Sequence, residues 1–370
     1  MNLEDQSILF LARTMGQGGT ENVILQLCEI LLPYVKKIVV CSKGGVNVSC
    51  LERMGVQHCV IPDLTLKQPA AMLKIYTTLQ RIIKEEKITM LHSHHRMAAF
   101  YAQLVTGNTT LKIANAHNVF YDKKFLTRYA YRNTHLIAVG EQVKKNLVEY
   151  YGLQETAVTV IPNAVKPFSG ILQPVKELED ARQKGYTLIG NVGRLSKQKG
   201  MEYFIQAAAK VYAENPEVRF FIVGDGEDRK KLEDMVKWTL PSGVLSFMGF
   251  RSDVQNVMAQ LDFVVLSSLW EGFPLTPIEA FSVGKTIVAT AVDGTPEIVK
   301  NQKNGLLVNC KDVSSLAQAM LRLCRDSELR RKMEQAAKES YKQEFSFDKL
   351  KEHYVEYYEK LLKGQKAYGR

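Results

Sequence analysis

The stretch Phe263-Val264-Val265-Leu266-Ser267-Ser268-Leu269-Trp270-Glu271-Gly272-Phe273-Pro274-Leu275-Thr276-Pro277-Ile278-Glu279-Ala280-Phe281-Ser282-Val283 reads as strand, turn and helix in succession. Its opening apolar run has the character of a strand buried on both faces of a parallel sheet. Its closing run reads as a short helix with Pro277 near the first position. A glycine-containing turn between strand and helix aims backbone N–H groups outward at a helix N-terminus, which is an anion site. Two carboxylates, Glu271 and Glu279, bracket that site. A plain phosphate would gain nothing from them. A ligand carrying both phosphates and hydroxyls would: the amides from Gly272 to Thr276 hold a diphosphate while the carboxylates accept from sugar and ribose hydroxyls. A sugar nucleotide is such a ligand.

The same alternation runs outward in both directions. Strands are expected at 8–12, 37–41, 58–61, 90–93, 113–116 and 136–139 in the first half, and at 187–192, 219–223, 245–248, 263–267, 286–289 and 306–308 in the second. Amphipathic helices are expected at 21–32, 69–86, 96–106 and 141–151, then at 201–214, 228–239, 254–261, 276–283 and 313–325. Such alternation implies α/β architecture with parallel sheets covered on both faces. The segment 162–185, with Pro162, Pro167, Gly170 and Pro174, reads as the linker between two doubly wound domains. Apolar residues in 347–362 (Phe347, Leu350, Tyr354, Tyr357, Tyr358, Leu361) fall mostly three or four apart, as on a terminal amphipathic helix. Ligands of doubly wound sheets bind at the carboxyl ends of the strands, where the glycine-rich segments of this chain lie.

Those segments are Gly18-Gly19-Thr20-Glu21, Val160-Ile161-Pro162-Asn163-Ala164-Val165, Val192-Gly193-Arg194-Leu195-Ser196-Lys197-Gln198-Lys199-Gly200 and Val223-Gly224-Asp225-Gly226-Glu227, followed by two glutamates with seven residues between them. In that order the set resembles the retaining GT-B glycosyltransferases of family 4. The resemblance implies two Rossmann-like domains facing a central cleft. The first, 1–168, is on the acceptor side and the second, 169–346, binds the nucleotide sugar. A helix at about 347–370 packs back on the first. It also implies retaining transfer of a hexosyl or N-acetylhexosaminyl group from a UDP-sugar or similar nucleotide-diphosphate donor. The acceptor would be a sugar or lipid-linked glycan, in cell-envelope, capsule or exopolysaccharide synthesis. Under it, Glu279 binds the ribose and Glu271 the donor sugar. Arg194, Lys199 and the amides of Gly272, Phe273, Leu275 and Thr276 hold the diphosphate, Gly249 and Phe250 sit near the base, and Gly18 and Gly19 lie at the donor–acceptor junction. His117 lies against the donor sugar near the reaction centre. The family usually has glycine where this chain has Pro274, and proline cannot donate an amide there.

The residues allow other readings beside these. Gly16, Gly18 and Glu21 miss the dinucleotide GxGxxG spacing, as do Gly224, Gly226 and Arg229, so neither loop reads as a nicotinamide site; a tight turn alone would also explain Gly18 and Gly19. Arg194 and Lys199 would stabilise charge growing on a diphosphate leaving group, or belong to a solvated basic loop that also holds Lys197. Asp225-Gly226-Glu227-Asp228 imitates a metal-binding Asp-x-Asp, but acids in a strand-to-helix turn suit turn closure and capping. No metal and no cofactor is expected, the nucleotide sugar being a substrate. His92, His94 and His95 line the acceptor side or merely finish a strand. A sugar-nucleotide epimerase and a non-catalytic sugar-nucleotide-binding partner protein remain as other classes.

The chain has 370 residues, 46% hydrophobic and 24% charged, and a formal net charge of +10. No basic block, RNP motif or helix-turn-helix accompanies that charge, so nucleic acid is not expected as a partner. An anionic membrane surface fits better. The segment 120–129 mixes aromatics with cations, and 69–87 carries Lys74, Arg81, Lys84 and Lys87 on an amphipathic stretch that serves equally as an ordinary covering helix. Six cysteines (28, 41, 50, 59, 310 and 324) form no CxxC pair and read as reduced thiols. No run approaches bilayer-spanning length. A cytoplasmic place, peripheral on the inner face of the cell membrane, is the expectation.

Overall fold

The computed structural model describes residues 2–107 and 110–367. The chain divides into two compact units: residues 1–163 with 350–370, and residues 164–349. Among the described residues, unit 1 holds seven parallel strands: β1 (Ser7–Leu11), β2 (Lys37–Ser42), β3 (Gln57–Val60), β4 (Met90–Ser93), β5 (Leu111–Ala116), β6 (His135–Ala138) and β7 (Val158–Val160), in the spatial order β3-β2-β1-β4-β5-β6-β7. Unit 2 holds six: β8 (Thr187–Val192), β9 (Val218–Val223), β10 (Leu245–Gly249), β11 (Phe263–Leu266), β12 (Ile287–Thr290) and β13 (Gly305–Val308), in the order β10-β9-β8-β11-β12-β13. Every named strand pairing is parallel. Central strands such as β1 and β11 are buried at every residue, as their unbroken apolar sequences require.

The strand order reverses between β1 and β4 in unit 1 and between β8 and β11 in unit 2. Loops leaving the carboxyl ends of strands at such a point diverge and leave a crevice. The loops that diverge in unit 2 are Gly193–Gly200 and Ser267–Pro274, two of the motifs picked out by sequence. In unit 1 they are the segment leading to Gly18 and the one carrying His94 and His95.

Each foreseen strand and helix is present within a few residues. The strand β7 and the helices Val48–Arg53, Lys124–Ala130, Thr295–Ile298, Lys176–Gln183 and Ser327–Ser340 were not foreseen. The last two are strongly polar and bury only Leu178 and Ala181, and Met333 and Ala337, which is too sparse a stripe for periodicity to register. Lys176–Gln183 also interrupts the expected linker at 162–185, because those two apolar residues fold into unit 2. The expected helix 141–151 is helical at Glu141–Lys145 and continues as a π-turn over Asn146–Tyr150. The terminal helix Phe347–Ala367 joins unit 1 from Leu350 onward. There Tyr358 Oη lies 2.6 Å from His92 Nδ1, and Asn115 Nδ2 donates to Tyr354 Oη at 2.7 Å. The helix Pro69–Glu85 buries Ile75, Leu79 and Ile82 against the sheet, so the covering role is the one it has.

Candidate functional site

In unit 2 the site is built by glycines that let neighbouring loops touch through their backbones. Gly200 adopts φ +56, and a side chain there would lie 2.3 Å from Ser267 O. A side chain on Gly226 would meet Leu195 O at 2.4 Å, and one on Gly294 would meet Gly272 O at 2.0 Å. These closures stitch the loop after β8 to the loops after β9 and β11, and the loop after β12 to Gly272. Hydrogen bonds reinforce them: Leu269 N donates to Gln198 O, Gln198 Nε2 to Trp270 O, and Ser267 Oγ to Lys199 O.

The stitching brings Lys199 against Glu271. Lys199 Nζ donates to Glu271 Oε1 at 2.5 Å, and Ser268 Oγ donates to the same oxygen at 2.6 Å. The carboxylate-bearing residue is 6% exposed. Its backbone N–H donates to Asp293 Oδ2 at 2.8 Å, from a loop sequence reading had not singled out. The helix Leu275–Ser282 starts one residue earlier than expected because Pro274 serves as its N-cap. With prolines at 274 and 277, Leu275 and Thr276 supply the amides of the first turn, where helical N–H groups lack an intrahelical acceptor. Pro274 therefore removes one amide from that turn and leaves those of Leu275 and Thr276. The Phe273 ring packs at 6.1 Å from Phe345, so its side chain belongs to the core of unit 2. Arg194 is exposed at the start of its loop, and Phe250 is 54% exposed after Gly249, which takes φ +68 at the end of β10.

Glu279 sits on the first turns of the same helix. Desolvation pushes its carboxyl up to about 7, with the nearby Lys199 charge pulling the other way. A group poised there changes charge in the neutral range, as functional carboxyls do. Asp225 closes its own turn, accepting from Gly226 N at 2.8 Å and from Arg229 Nη1 at 3.1 Å. Asp228 stands at the N-cap of Arg229–Thr239 without a side-chain cap bond, so of the two roles expected there, turn closure is the one the geometry displays.

Unit 1 carries a separate cavity of about 70 Å³, lined by Thr20, His94, His95, Arg96, His117 and Asn118 among others. His94 Nδ1 lies 3.2 Å from His117 Nε2, and the His92 and His94 rings stack at 4.5 Å. Burial, the largest cause for each, pulls all four histidines down: His92 to about 3, His95 and His117 to about 4, and His94 well below its ordinary value. All four are neutral at pH 7. His95 Nδ1 accepts from Met97 N and so caps the helix Arg96–Val105. Gly18 is the N-cap of Gly19–Leu31 in extended backbone that any residue adopts, so left-handed geometry is not what glycine supplies there. The Gly16–Gly19 loop is instead backed by a turn that sequence reading passed over. Asn47 Nδ2 donates to Gly16 O at 2.6 Å, and a side chain on Gly45 would collide with Met15 backbone at 2.3 Å. The Gly44-Gly45 pair was the available signal.

The family model described as "Glycosyltransferase Family 4" matches residues 17–167, and "Glycosyl transferases group 1" matches residues 176–340. The chain belongs to the group 1 glycosyltransferases. The two matches meet near the boundary between the units and together span most of the transferase. An Escherichia coli UDP-Gal:alpha-D-GlcNAc-diphosphoundecaprenol alpha-1,3-galactosyltransferase is 26% identical over 342 residues, covering 84% of this chain and 86% of its own. The N-acetyl-alpha-D-glucosaminyl L-malate synthase of Bacillus anthracis is 24% identical over 327 residues, 80% of this chain and 81% of the synthase. Among solved structures, Anabaena HepE in complex with UDP superposes with a TM-score of 0.81 at 20% identity, over 95% of this chain and 99% of HepE. That likeness identifies the fold of the transferase as GT-B.

Proposed function

We propose that the transferase moves a hexosyl or N-acetylhexosaminyl group from a UDP-sugar to a glycan or lipid-linked glycan, with retention at the anomeric carbon and without a metal, in envelope, capsule or exopolysaccharide synthesis. The observation that carries this reading is the Lys199–Glu271 pair at the strand-order reversal of unit 2, beside an anion-binding helix start that also bears Glu279. The E. coli relative's name, with its UDP-Gal donor and diphosphoundecaprenol acceptor, supports the donor and acceptor classes. In the proposed reaction the bond from the anomeric carbon to the diphosphate oxygen breaks while Arg194, Lys199 and the Leu275 and Thr276 amides take up the growing charge. The acceptor oxygen bonds the same face, and its proton passes to the departing diphosphate. His117 hydrogen-bonds a sugar hydroxyl as a neutral imidazole.

Titration with UDP, GDP and ADP by calorimetry in EDTA tests the reading. UDP is expected to bind selectively. Glu279 accepts ribose hydroxyls best as a carboxylate, so affinity rises with pH, by up to about tenfold per unit below 7, and levels off above it. Glu279→Gln is expected to bind more weakly at pH 8, by about 10- to 100-fold for a lost charge-assisted pair of bonds, and with a flat profile. The raised carboxyl also means that Glu279 favours the folded state at low pH and that this contribution is lost as pH rises from 4.5 through about 7. Failure of all three nucleotides to bind would remove the donor assignment.

A lipid-linked acceptor requires approach to a bilayer, and no helix among the described residues is long and apolar enough to cross one. We infer peripheral contact through the segment 120–129 of unit 1. Phe125 is 88% and Tyr121 71% exposed, with Lys123, Lys124 and Arg128 beside them, a pairing suited to anionic headgroups. Flotation at low salt with vesicles containing anionic lipid should carry the protein upward. The variant Lys124→Ser should lower the partition constant about fivefold, the worth of one cation at such a surface. Sedimentation regardless of lipid charge would eliminate this contact.

A further inference from the structure

The six cysteines, unpaired in sequence, are not equivalent in the fold. Cys41 on β2 and Cys59 on β3 are eighteen positions apart, yet they are register partners on adjacent parallel strands. Register partners point to the same face of a sheet. Both side chains pack against one apolar cluster, under the helix Pro69–Glu85, with Cys41 fully buried and Cys59 half-buried. Gln57 Nε2 donates to Cys59 Sγ at 3.7 Å. β3 is an edge strand and Cys59 is the more exposed of the two, so a small reagent meets Cys59 first.

We propose that Cys41 and Cys59 form a dithiol site that small-molecule disulfides oxidise to an intramolecular disulfide, with Cys59 as the attacking sulfur and Cys41 as the resolving one. Two adjacent sulfurs with asymmetric exposure supply the order of events. The Cys59 thiolate attacks one sulfur of the reagent, forms a mixed disulfide and expels one reagent thiolate. Cys41 then loses its proton and attacks Cys59 Sγ, expelling the second reagent thiolate. Two protein thiols are oxidised and one external disulfide is reduced to two thiols, so the electrons balance. The electrostatics agree with these roles. The Cys41 hydrogen bond is the largest cause holding Cys59 down at about 6, against the desolvation that raises it, with Gln57 and the Arg81 charge assisting. Cys41 is pushed well above its ordinary value, first by the same hydrogen bond and then by burial. Register-paired Cα atoms fall within the span a disulfide bridges.

The test is reaction of the full chain with limiting 5,5′-dithiobis(2-nitrobenzoate), followed by release of coloured thiolate and by peptide mapping without reductant. The expected result is a fast phase that releases two thiolates per reagent molecule consumed and leaves no adduct, with the peptides containing Cys41 and Cys59 joined. Cys41→Ser should release one thiolate per reagent molecule and retain a stable adduct on Cys59. Cys59→Ser should slow the fast phase by at least about tenfold at pH 7, because an ordinary thiol is only a few per cent ionised there. The fast rate should reach half its plateau near pH 6. A fast phase residing on another cysteine, or an adduct persisting on Cys59 with Cys41 intact, would overturn the proposal. Circular dichroism of each variant separates loss of the site from loss of the fold.

Discussion

Replacing Lys199 with alanine is expected to lower kcat/KM for sugar transfer by about 10³-fold, the effect of removing one preorganised charge that faces charge built up in the transition state. The same change should destabilise the fold by ~3 kcal/mol, because it leaves the Glu271 carboxylate buried without its cation. Lys199 Nζ meets Glu271 Oε1 at 2.5 Å, with the two side chains 18% and 7% exposed. A buried pair and a catalytic pair therefore predict different double variants. Lys199→Met with Glu271→Gln removes both charges, so most of the lost stability should return. Activity should not return, since the diphosphate still finds no ammonium. Urea unfolding and steady-state turnover on the same preparations read the two quantities separately. If the double variant regains turnover along with stability, Lys199 is a structural cation and the leaving-group assignment is wrong. If Lys199→Ala keeps its rate within about threefold, a difference worth only ~0.6 kcal/mol of barrier, the ammonium does not face the reacting centre.

The split between what sequence reveals and what it hides follows the range of the forces involved. Strand and helix positions were legible because a strand buried on both faces must be apolar throughout, and that requirement is local. The positions of Glu271, Lys199, Arg194 and Glu279 at one end of unit 2 were legible because motif order and the doubly wound rule together place them on diverging loops. The Lys199–Glu271 bond was not. The two residues are seventy-two positions apart, and their meeting depends on Gly200 lying so close to Ser267 O that a Cβ there would sit 2.3 Å from it. Asp293 and the Gly44-Gly45 turn escaped for the same reason: each supports the backbone of another loop, Asp293 with its carboxylate and the glycines by close approach. Cys41 and Cys59 meet only because β2 and β3 pair in register. The helix Lys176–Gln183 was hidden differently, since two buried side chains on a charged helix leave almost no periodic signal.

Gly224 is where this backbone packing can be tested most severely. In sequence, Val223-Gly224-Asp225-Gly226-Glu227 reads as turn and capping chemistry. In the fold, Gly224 takes φ +142, and a Cβ there would lie 1.9 Å from Gly193 O and 2.9 Å from Gly193 C. Gly224 N also donates to Gly249 O, so it joins the loops after β8, β9 and β10. Gly224→Ala thus meets a strained backbone, at ~1–3 kcal/mol, and a collision with main chain that cannot swing aside as a side chain would, at ~1–3 kcal/mol more. The expected loss of stability is ~3–4 kcal/mol, the sum of those two effects at their middle values. UDP affinity should fall with it, because displacing Gly193 moves the surface on which the Lys199 stem rests, 3.4 Å from a Cβ at that position. Gly243→Ala is the control. It carries φ +82 with nothing within 4 Å of an added Cβ, so it has the backbone strain without the collision and should lose only ~1–2 kcal/mol. Urea unfolding of the two variants side by side, with UDP titration of each, isolates the collision as their difference. Equal stabilities would mean that the loops after β8 and β9 can separate freely, and that the arrangement of the loops around Lys199 is not held by the contact of Gly224 with Gly193.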